Sequence, residues 1–519
     1  MRKKTIYVAM LLTLICAGFA GCVKDDGNYD YKDIAGFTAR SVTVKINGKA
    51  VSVVGGNKIV INPNDLLNIV VEGELGTDFD PVYHWMLFEI DPPMRPGTDL
   101  EDYFEPAEEI AATKDFDGHF NKSPGNYTLY YVVENRKNDS RFYEEFTVEV
   151  ESVKGMLVYH ADAAGLADYS VVRTSEMGLG LPPEKLGMIS NVYSSVNGGA
   201  KIANPTRVWL RRVNDPMFED QIFLAHEGGM VQVNYRTHVK EHDSYNAYFM
   251  FPPEGTPDPQ GYMNGSNKTE YLVQGGQVYG INYMTASRAL FIPVSNYGTY
   301  SPCMMTIPQS INRDYRNIFY NMTSGGFEYD YWGAMAPFFS VPGSLGGEDV
   351  DIMNTGMNLV FMDMGNGSTI DAVMRDRSGA YRYVRFDVTN PYGAVCIENI
   401  DLSPFPADEN SLWAVGNRGS AAFFSAGNEL YILDMQDKTS HAAELGLPAN
   451  DAISVVQVLK DSDENNATNN NAVIFIAYNS GGEGKLLQYK FNPSTGVLDK
   501  TSRQEFGGFG RILDIVLKK

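Results

Sequence analysis

The chain has 519 residues, 44% of them apolar and only 20% charged, with 50 Gly, 31 Tyr and 27 Phe. That length predicts two or three domains, and abundant glycine and aromatic residues with modest charge point to strands and turns, not to coiled coil or disorder. Acidic residues outnumber basic ones 64 to 42, a net charge of -22, which argues against nucleic-acid binding by phosphate neutralisation and against electrostatic attachment to an anionic membrane.

The chain opens Met1-Arg2-Lys3-Lys4 and is almost wholly apolar from Ile6 to Phe19. The run is too short for a comfortable bilayer span of roughly 20 residues and has the build of a secretory signal peptide over residues 1–21. It ends Phe19-Ala20-Gly21-Cys22, which resembles a bacterial lipobox, although Phe19 departs from the usual Leu. The resemblance implies that Cys22 is acylated and becomes the mature N-terminus. Lys24-Asp25-Asp26 follows in a short tether, residues 22–32, and resembles the surface-export signal of Bacteroidetes lipoproteins. The implied location is the outer face of the outer membrane, held by acyl chains without a transmembrane segment. Cleavage removes three positive charges and no negative ones, leaving 498 residues with net charge -25. Of the remaining cysteines, Cys303 and Cys396 either pair, as an oxidising compartment permits, or stay as two buried thiols.

Residues 33–152 read as short strands between turns. Ser41 to Ile46 alternates with period two, and Asn47-Gly48 supplies a hairpin turn. Val82 to Phe88 is a strong strand with Trp85 at its centre. Residues 127–134 and 142–150 form a late, long hairpin. This pattern predicts an immunoglobulin-like β-sandwich without a disulfide staple. Tyr83-x-Trp85 resembles the core strand of PKD domains, which implies a structural Trp85.

Residues 154–519 carry a repeat. An apolar strand, a glycine turn and a second alternating strand recur around Gly165, Gly228, Gly275, Gly325, Gly379, Gly427 and Gly482, at gaps of 63, 47, 50, 54, 48 and 55. A period near 50 residues built of hairpins is that of a β-propeller blade, so the predicted fold is all-β: a sandwich followed by a seven-bladed propeller. The last segment, residues 509–517, reads as an unpaired strand that could close the ring on the strand near Met156 and remove an exposed edge.

The mature start Asp25-Asp26-Gly27-Asn28-Tyr29-Asp30-Tyr31, the Ig-like strand set and the join Gly155-Met156-Leu157-Val158-Tyr159 together resemble the PKD-like family of Bacteroidetes lipoproteins. That resemblance implies a surface role in nutrient capture beside outer-membrane uptake proteins of SusC/SusD type. It brings no catalytic residues.

Candidate chemistry is sparse. His238-Val239-Lys240-Glu241-His242 matches the H-x-x-E-H zinc-peptidase pattern, but it follows a strand among turn residues, where both His cannot share a helical face. Asp461, Asp463 and Asn465 alternate oxygen ligands as calcium loops do, yet lack the Gly at position six and the acid at position twelve of an EF-hand. No cofactor is expected, calcium being the one weak candidate. Tyr329, Asp330, Tyr331 and Trp332 interleave aromatics with an acid, a combination that suits sugar rings and equally suits a strand with aromatics on one face. Trp209 and Trp413 sit in apolar strands and read as core. No catalytic residue is assigned. The expected function is binding of a glycan or protein partner in a nutrient-uptake assembly. The alternatives are a propeller-type glycan hydrolase or lyase, with carboxylates or His226 near the channel mouth, and a purely structural accessory subunit of an outer-membrane transporter.

Overall fold

The computed structural model describes residues 36–51, 57–88, 107–213, 218–265, 268–284, 289–294, 298–307, 316–331, 334–340, 350–367, 369–389, 393–460 and 469–519. The protein is all-β: among the described residues the only α-helix is the single turn Val192–Val196.

Residues 37–150 form two sheets. One has the order Lys49–Val51, Phe37–Ile46, Leu66–Leu75, Phe116–His119; the other runs Lys58–Ile61, Ser140–Val150, Gly125–Asn135, Pro81–Phe88, Glu108–Ala111. Asn47 and Gly48 both take positive φ, 50° and 78°, as the tight hairpin between the first two strands needs. Period-two alternation puts Leu67, Ile69 and Val71 of one sheet against Trp85, Leu129, Tyr131 and Phe146 of the other. Trp85 is fully buried, its ring 4.7 Å from that of Tyr131, and its Nε1–H donates to the Thr113 carbonyl at 3.0 Å. A buried indole thus keeps its one polar group satisfied.

Among the described residues, those between 155 and 518 form seven sheets in succession. The second contains Pro205–Arg211, Gln221–His226, Gly229–Asn234 and Lys240–His242; the third Pro259–Asn264, Thr269–Gln274, Gln277–Asn282 and Ile292–Pro293. The fourth contains Met305–Ile307, Arg316–Asn321, Gly326–Tyr331 and Ala334–Pro337. The fifth contains Asn358–Met364, Thr369–Arg375, Tyr381–Asp387 and Gly393–Asp401, with Phe339–Ser340 added in parallel. The sixth contains Trp413–Val415, Ala421–Ala426, Glu429–Asp434 and Thr439–Ala442; the seventh Ala452–Val458, Val473–Ser480, Glu483–Phe491 and Leu498–Phe509.

The first sheet is built from both ends of this region. The chain's last strand, Arg511–Lys518, pairs antiparallel with Gly155–Ala161, with Met156 opposite Leu517, and Leu166–Arg173 and Gly187–Ile189 complete the order. Each repeated glycine falls in the turn between the second and third strand of its sheet. Six of the seven have positive φ, and at the seventh position the neighbour Gly229 takes it, which is why glycine recurs there.

The first strands touch in a circular order. Pro205–Arg211 lies against Arg511–Lys518 and Pro259–Asn264; contact passes on through Met305–Ile307, Asn358–Met364, Trp413–Val415 and Ala452–Val458, and returns to Arg511–Lys518. Apolar side chains fill the space between successive sheets.

The two regions are hydrogen-bonded to each other. Arg173 donates to Asn62 Oδ1 at 3.0 Å, Asn64 Nδ2 to the Ser190 carbonyl at 3.2 Å, and Lys185 forms an ion pair with Glu151.

Candidate functional site

Four of the first strands border one cavity of about 320 Å3. Phe361 and Asp363 come from the fifth sheet, Trp413 and Ala414 from the sixth, Val456 to Lys460 from the seventh, and Leu517 from the first. The first strands of these sheets are also the ones in contact with one another, and the cavity lies among them. That placement brings residues together that stand about a hundred apart in sequence.

The wall is apolar over Phe361, Val456, Val458, Leu459 and Leu517. Its charged part is one ion pair: Lys460 Nζ lies 2.7 Å from Asp363 Oδ2 and donates to the Met364 carbonyl at 2.8 Å. The site therefore carries a matched pair and no uncompensated charge from these two groups. Trp413 is 6% exposed and stacks on Phe424, ring centres 4.8 Å apart at 22°. Its Nε1–H has no hydrogen-bond partner, and neither does Gln457 Oε1. Polar atoms left unpaired inside a protein cost free energy, and here a donor and an acceptor of this kind belong to two residues that line the same cavity. A group that both donates and accepts could serve both after small side-chain adjustments.

Other axial groups stand apart from this cavity. Asp514, at the middle of the last strand, accepts from Val208 N–H at 3.1 Å, and burial pushes its carboxyl up to about 6 despite the opposing pull of Arg207. Cys303 Sγ donates to the Val360 carbonyl at 3.6 Å, and burial pushes its thiol up. Cys303 and Cys396 are not joined by a disulfide.

Of the four residues expected to meet sugar, Trp332 lies outside the described residues. Tyr331 ends its strand opposite Ala334. Tyr329 packs its ring 4.8 Å from Phe338 on the fifth-sheet side, while Asp330 accepts from Tyr271 OH of the third sheet. Tyr329 and Asp330 thus take part in contacts on the two opposite faces of their strand. His226 sits at a hairpin of the second sheet, its Nδ1 accepting from Gly228 N–H at 3.1 Å, away from the cavity residues. His238 is fully buried at a left-handed φ of 61° and bonds Tyr169 OH at 2.6 Å, whereas His242 is exposed on a short strand. Glu241 accepts from Gln221, Gln232 and Asn234, so H-x-x-E-H here is a turn and strand. Asp461, Asp463, Asn465, Cys22, Lys24, Asp25 and Asp26 lie outside the described residues.

Sequence reasoning missed Phe361, Asp363, Gln457 and Lys460. No motif links them. The usable signal was positional, since the first strand of every repeat lies innermost.

Fold and cavity define the class: an all-β chain of repeated, mostly four-stranded sheets with a small mixed-polarity cavity at their hub. No known family and no curated protein matches the sequence. Among solved structures the chain is similar to dihydro-heme d1 dehydrogenase NirN, at 9% identity and a TM-score of 0.36, over 75% of this chain and 72% of that one. It is also similar to the β-propeller domain of Nup133 from Vanderwaltozyma polyspora, at 9% identity and a TM-score of 0.31, over 59% of this chain and 88% of that one. Likeness at this level carries no argument about activity.

Proposed function

We propose that this protein is a lipid-anchored surface receptor. A two-sheet spacer of immunoglobulin or PKD type holds a seven-bladed β-propeller away from the membrane, and the propeller captures a glycan for an outer-membrane uptake assembly of SusC/SusD type. The propeller reading is supported by seven sheets in succession, first strands in circular contact, and a first sheet shared between the region's two ends. The anchor reading rests on the lipobox-like Cys22 and the Lys24-Asp25-Asp26 that follows; among the described residues no helix is long and apolar enough to cross a membrane.

The observation that carries the binding function is the hub cavity, with apolar walls, an amide and a matched ion pair. Apolar surface with a few convergent polar groups is the usual make-up of a small-ligand site. The test is an affinity screen of residues 23–519 against polysaccharides, with products analysed in the same assay. Saturable capture without cleavage supports the reading, release of new reducing ends replaces it with a hydrolase, and no capture overturns it. For the anchor, Cys22→Ala must abolish palmitate labelling and membrane fractionation.

A second reading, a protein partner or a purely structural role beside a transporter, is favoured by three large exposed apolar side chains around the third sheet: Met250 at 52%, Phe251 at 63% and Met284 at 60% exposure. Large exposed apolar side chains mark contact surfaces where they form one patch. Replacing all three with Ser should then abolish co-purification of uptake proteins while leaving polysaccharide capture intact.

A further inference from the structure

We infer that the hub cavity accepts a single neutral, hydroxyl-bearing ring, the end residue of a glycan chain, and that Gln457 and the Lys460–Asp363 pair set this specificity. The inference rests on the glycan-binding reading and narrows it.

Size sets the first limit. About 320 Å3 lies at the lower end of ligand pockets, roughly 300–1,000 Å3. It suits one ring and does not suit a polymer laid across the site.

Charge sets the second. Lys460 is already matched by Asp363 at 2.7 Å and by the Met364 carbonyl. A carboxylated sugar would have to displace Asp363 from Lys460 or place its own charge beside that carboxylate. An amino sugar would meet Lys460. A neutral ring disturbs neither, and breaking a partly shielded pair is what charged ligands would have to offset.

Hydrogen bonding sets the third. Gln457 Oε1 lacks a donor and Trp413 Nε1–H lacks an acceptor. A hydroxyl is both, so a polyol ring supplies what both atoms lack once the two side chains turn slightly toward the space they line. The C–H face of the ring packs on Phe361, Val456 and Leu517. With one of its faces on Phe424, Trp413 offers its edge as a donor and not a stacking platform.

The test is calorimetric titration of residues 23–519 with glucose, galactose, mannose and xylose, each compared with glucuronic acid, galacturonic acid or glucosamine. The expected result is saturable binding of at least one neutral sugar, with at least tenfold weaker binding of its charged counterparts. Gln457→Leu should weaken the neutral sugar about tenfold. Lys460→Met leaves Asp363 bare and should shift preference toward glucosamine, a gain that misfolding cannot produce; circular dichroism checks each variant. Equal affinity for neutral and acidic sugars, or neutral-sugar binding untouched by both substitutions, overturns the inference. Polysaccharide capture that survives both substitutions overturns this inference alone, whereas absence of capture of any polysaccharide overturns the reading beneath it.

Discussion

Tyr159 and Asp514 face each other in the antiparallel ladder that joins the first strand of the C-terminal region to the last. The two residues lie near opposite ends of the sequence of that region, so this ladder joins its two ends in one sheet. The alternative, a sheet edge open at each end of the array, would expose unpaired N–H and C=O groups and the apolar flanks of the end sheets.

Deleting residues 511–519 tests that arrangement. The truncation strips the partner strand from Gly155–Ala161, whose side chains are all buried, and removes Ile512 and Ile515 from the core shared with the seventh sheet. The expected outcome is loss of a cooperative urea transition and association of the chain, read by size-exclusion chromatography. A truncated chain that stays monomeric with an unchanged midpoint would mean the ladder is dispensable.

Asp514 also governs the response to acid. Burial raises its folded pKa to about 6, above the roughly 3.9 of an unfolded Asp. The folded state then binds the extra proton between those values, so this group's contribution is full below about pH 4 and is lost as pH rises through 6. His160 works the other way. Enclosed beside Ser170 Oγ at 3.0 Å and Gly510 N–H at 3.2 Å, it is held down to about 4, mainly by burial, so its contribution grows as pH rises from 4 to 6.5. Asp514→Asn keeps an acceptor for Val208 N–H and removes one of the two opposing trends. It should raise stability at pH 7 by no more than about 3 kcal/mol and make the loss of stability from pH 6.5 to 4 steeper than in the parent, measured by urea unfolding at a series of pH values.

How far these features were legible differs by kind. Six of the seven glycine turns were readable because a tight hairpin demands positive φ and glycine meets the demand, so Gly165, Gly275 and Gly427 mark the same turn in three sheets. Trp85 at the centre of an alternating strand was readable for the same reason, since period two and a large apolar side chain both point inward. The aromatic run at Tyr329 is ambiguous in sequence, because alternation looks the same whether its two faces meet solvent or two neighbouring sheets; in the fold Tyr329 packs on Phe338 and Asp330 accepts from Tyr271. The cavity was not legible at all. Asp363 and Lys460 acquire their relationship only when the first strands of the fifth and seventh sheets come to the hub, and nothing local to either residue records it.

Lys518 gives a prediction at alkaline pH. It is fully buried, its Nζ donates to the Val153 carbonyl in the linker between the two regions, and it lies 4.2 Å from the centre of the Tyr235 ring. Burial, aided by Lys154 and Arg212 and opposed by Asp220, lowers its pKa to about 7. Between pH 7 and about 10.4 the unfolded chain keeps a proton that the folded one has released, so stability rises with pH across that window; below pH 7 the buried charge is a standing penalty on the order of several kcal/mol. Lys518→Met removes both the penalty and the slope. Its thermal midpoint should be flat from pH 7 to 10 where that of the parent climbs, and a parent curve without that climb would show that Lys518 is not titrating there.

The buried pair Arg211–Glu270 bridges the second and third sheets, and its effect on stability is separable by substitution. Arg211 Nε donates to Glu270 Oε2 at 2.9 Å, its NH2 group to Oε1 at 2.5 Å and its NH1 group to Gln221 Oε1 at 2.8 Å. Tyr262 and Tyr283 hydroxyls each donate to the same carboxylate at 2.8 Å. With both side chains under 5% exposed, the attraction must offset the desolvation of two charges, and it does so only while both are present. Glu270→Leu should therefore cost about 3–5 kcal/mol, because it leaves a guanidinium buried without its counter-charge. Adding Arg211→Met removes that charge and should recover most of the loss. The remainder should be about 1 kcal/mol for the Tyr283 hydroxyl left without an acceptor, because the Tyr262 hydroxyl keeps Asn264 Oδ1 at 3.0 Å. Urea midpoints of the two single variants and the double variant measure the coupling directly; if the double variant is as unstable as the two single losses added together, the pair is not acting as a unit, and the inter-sheet contact must be held by the apolar side chains around it.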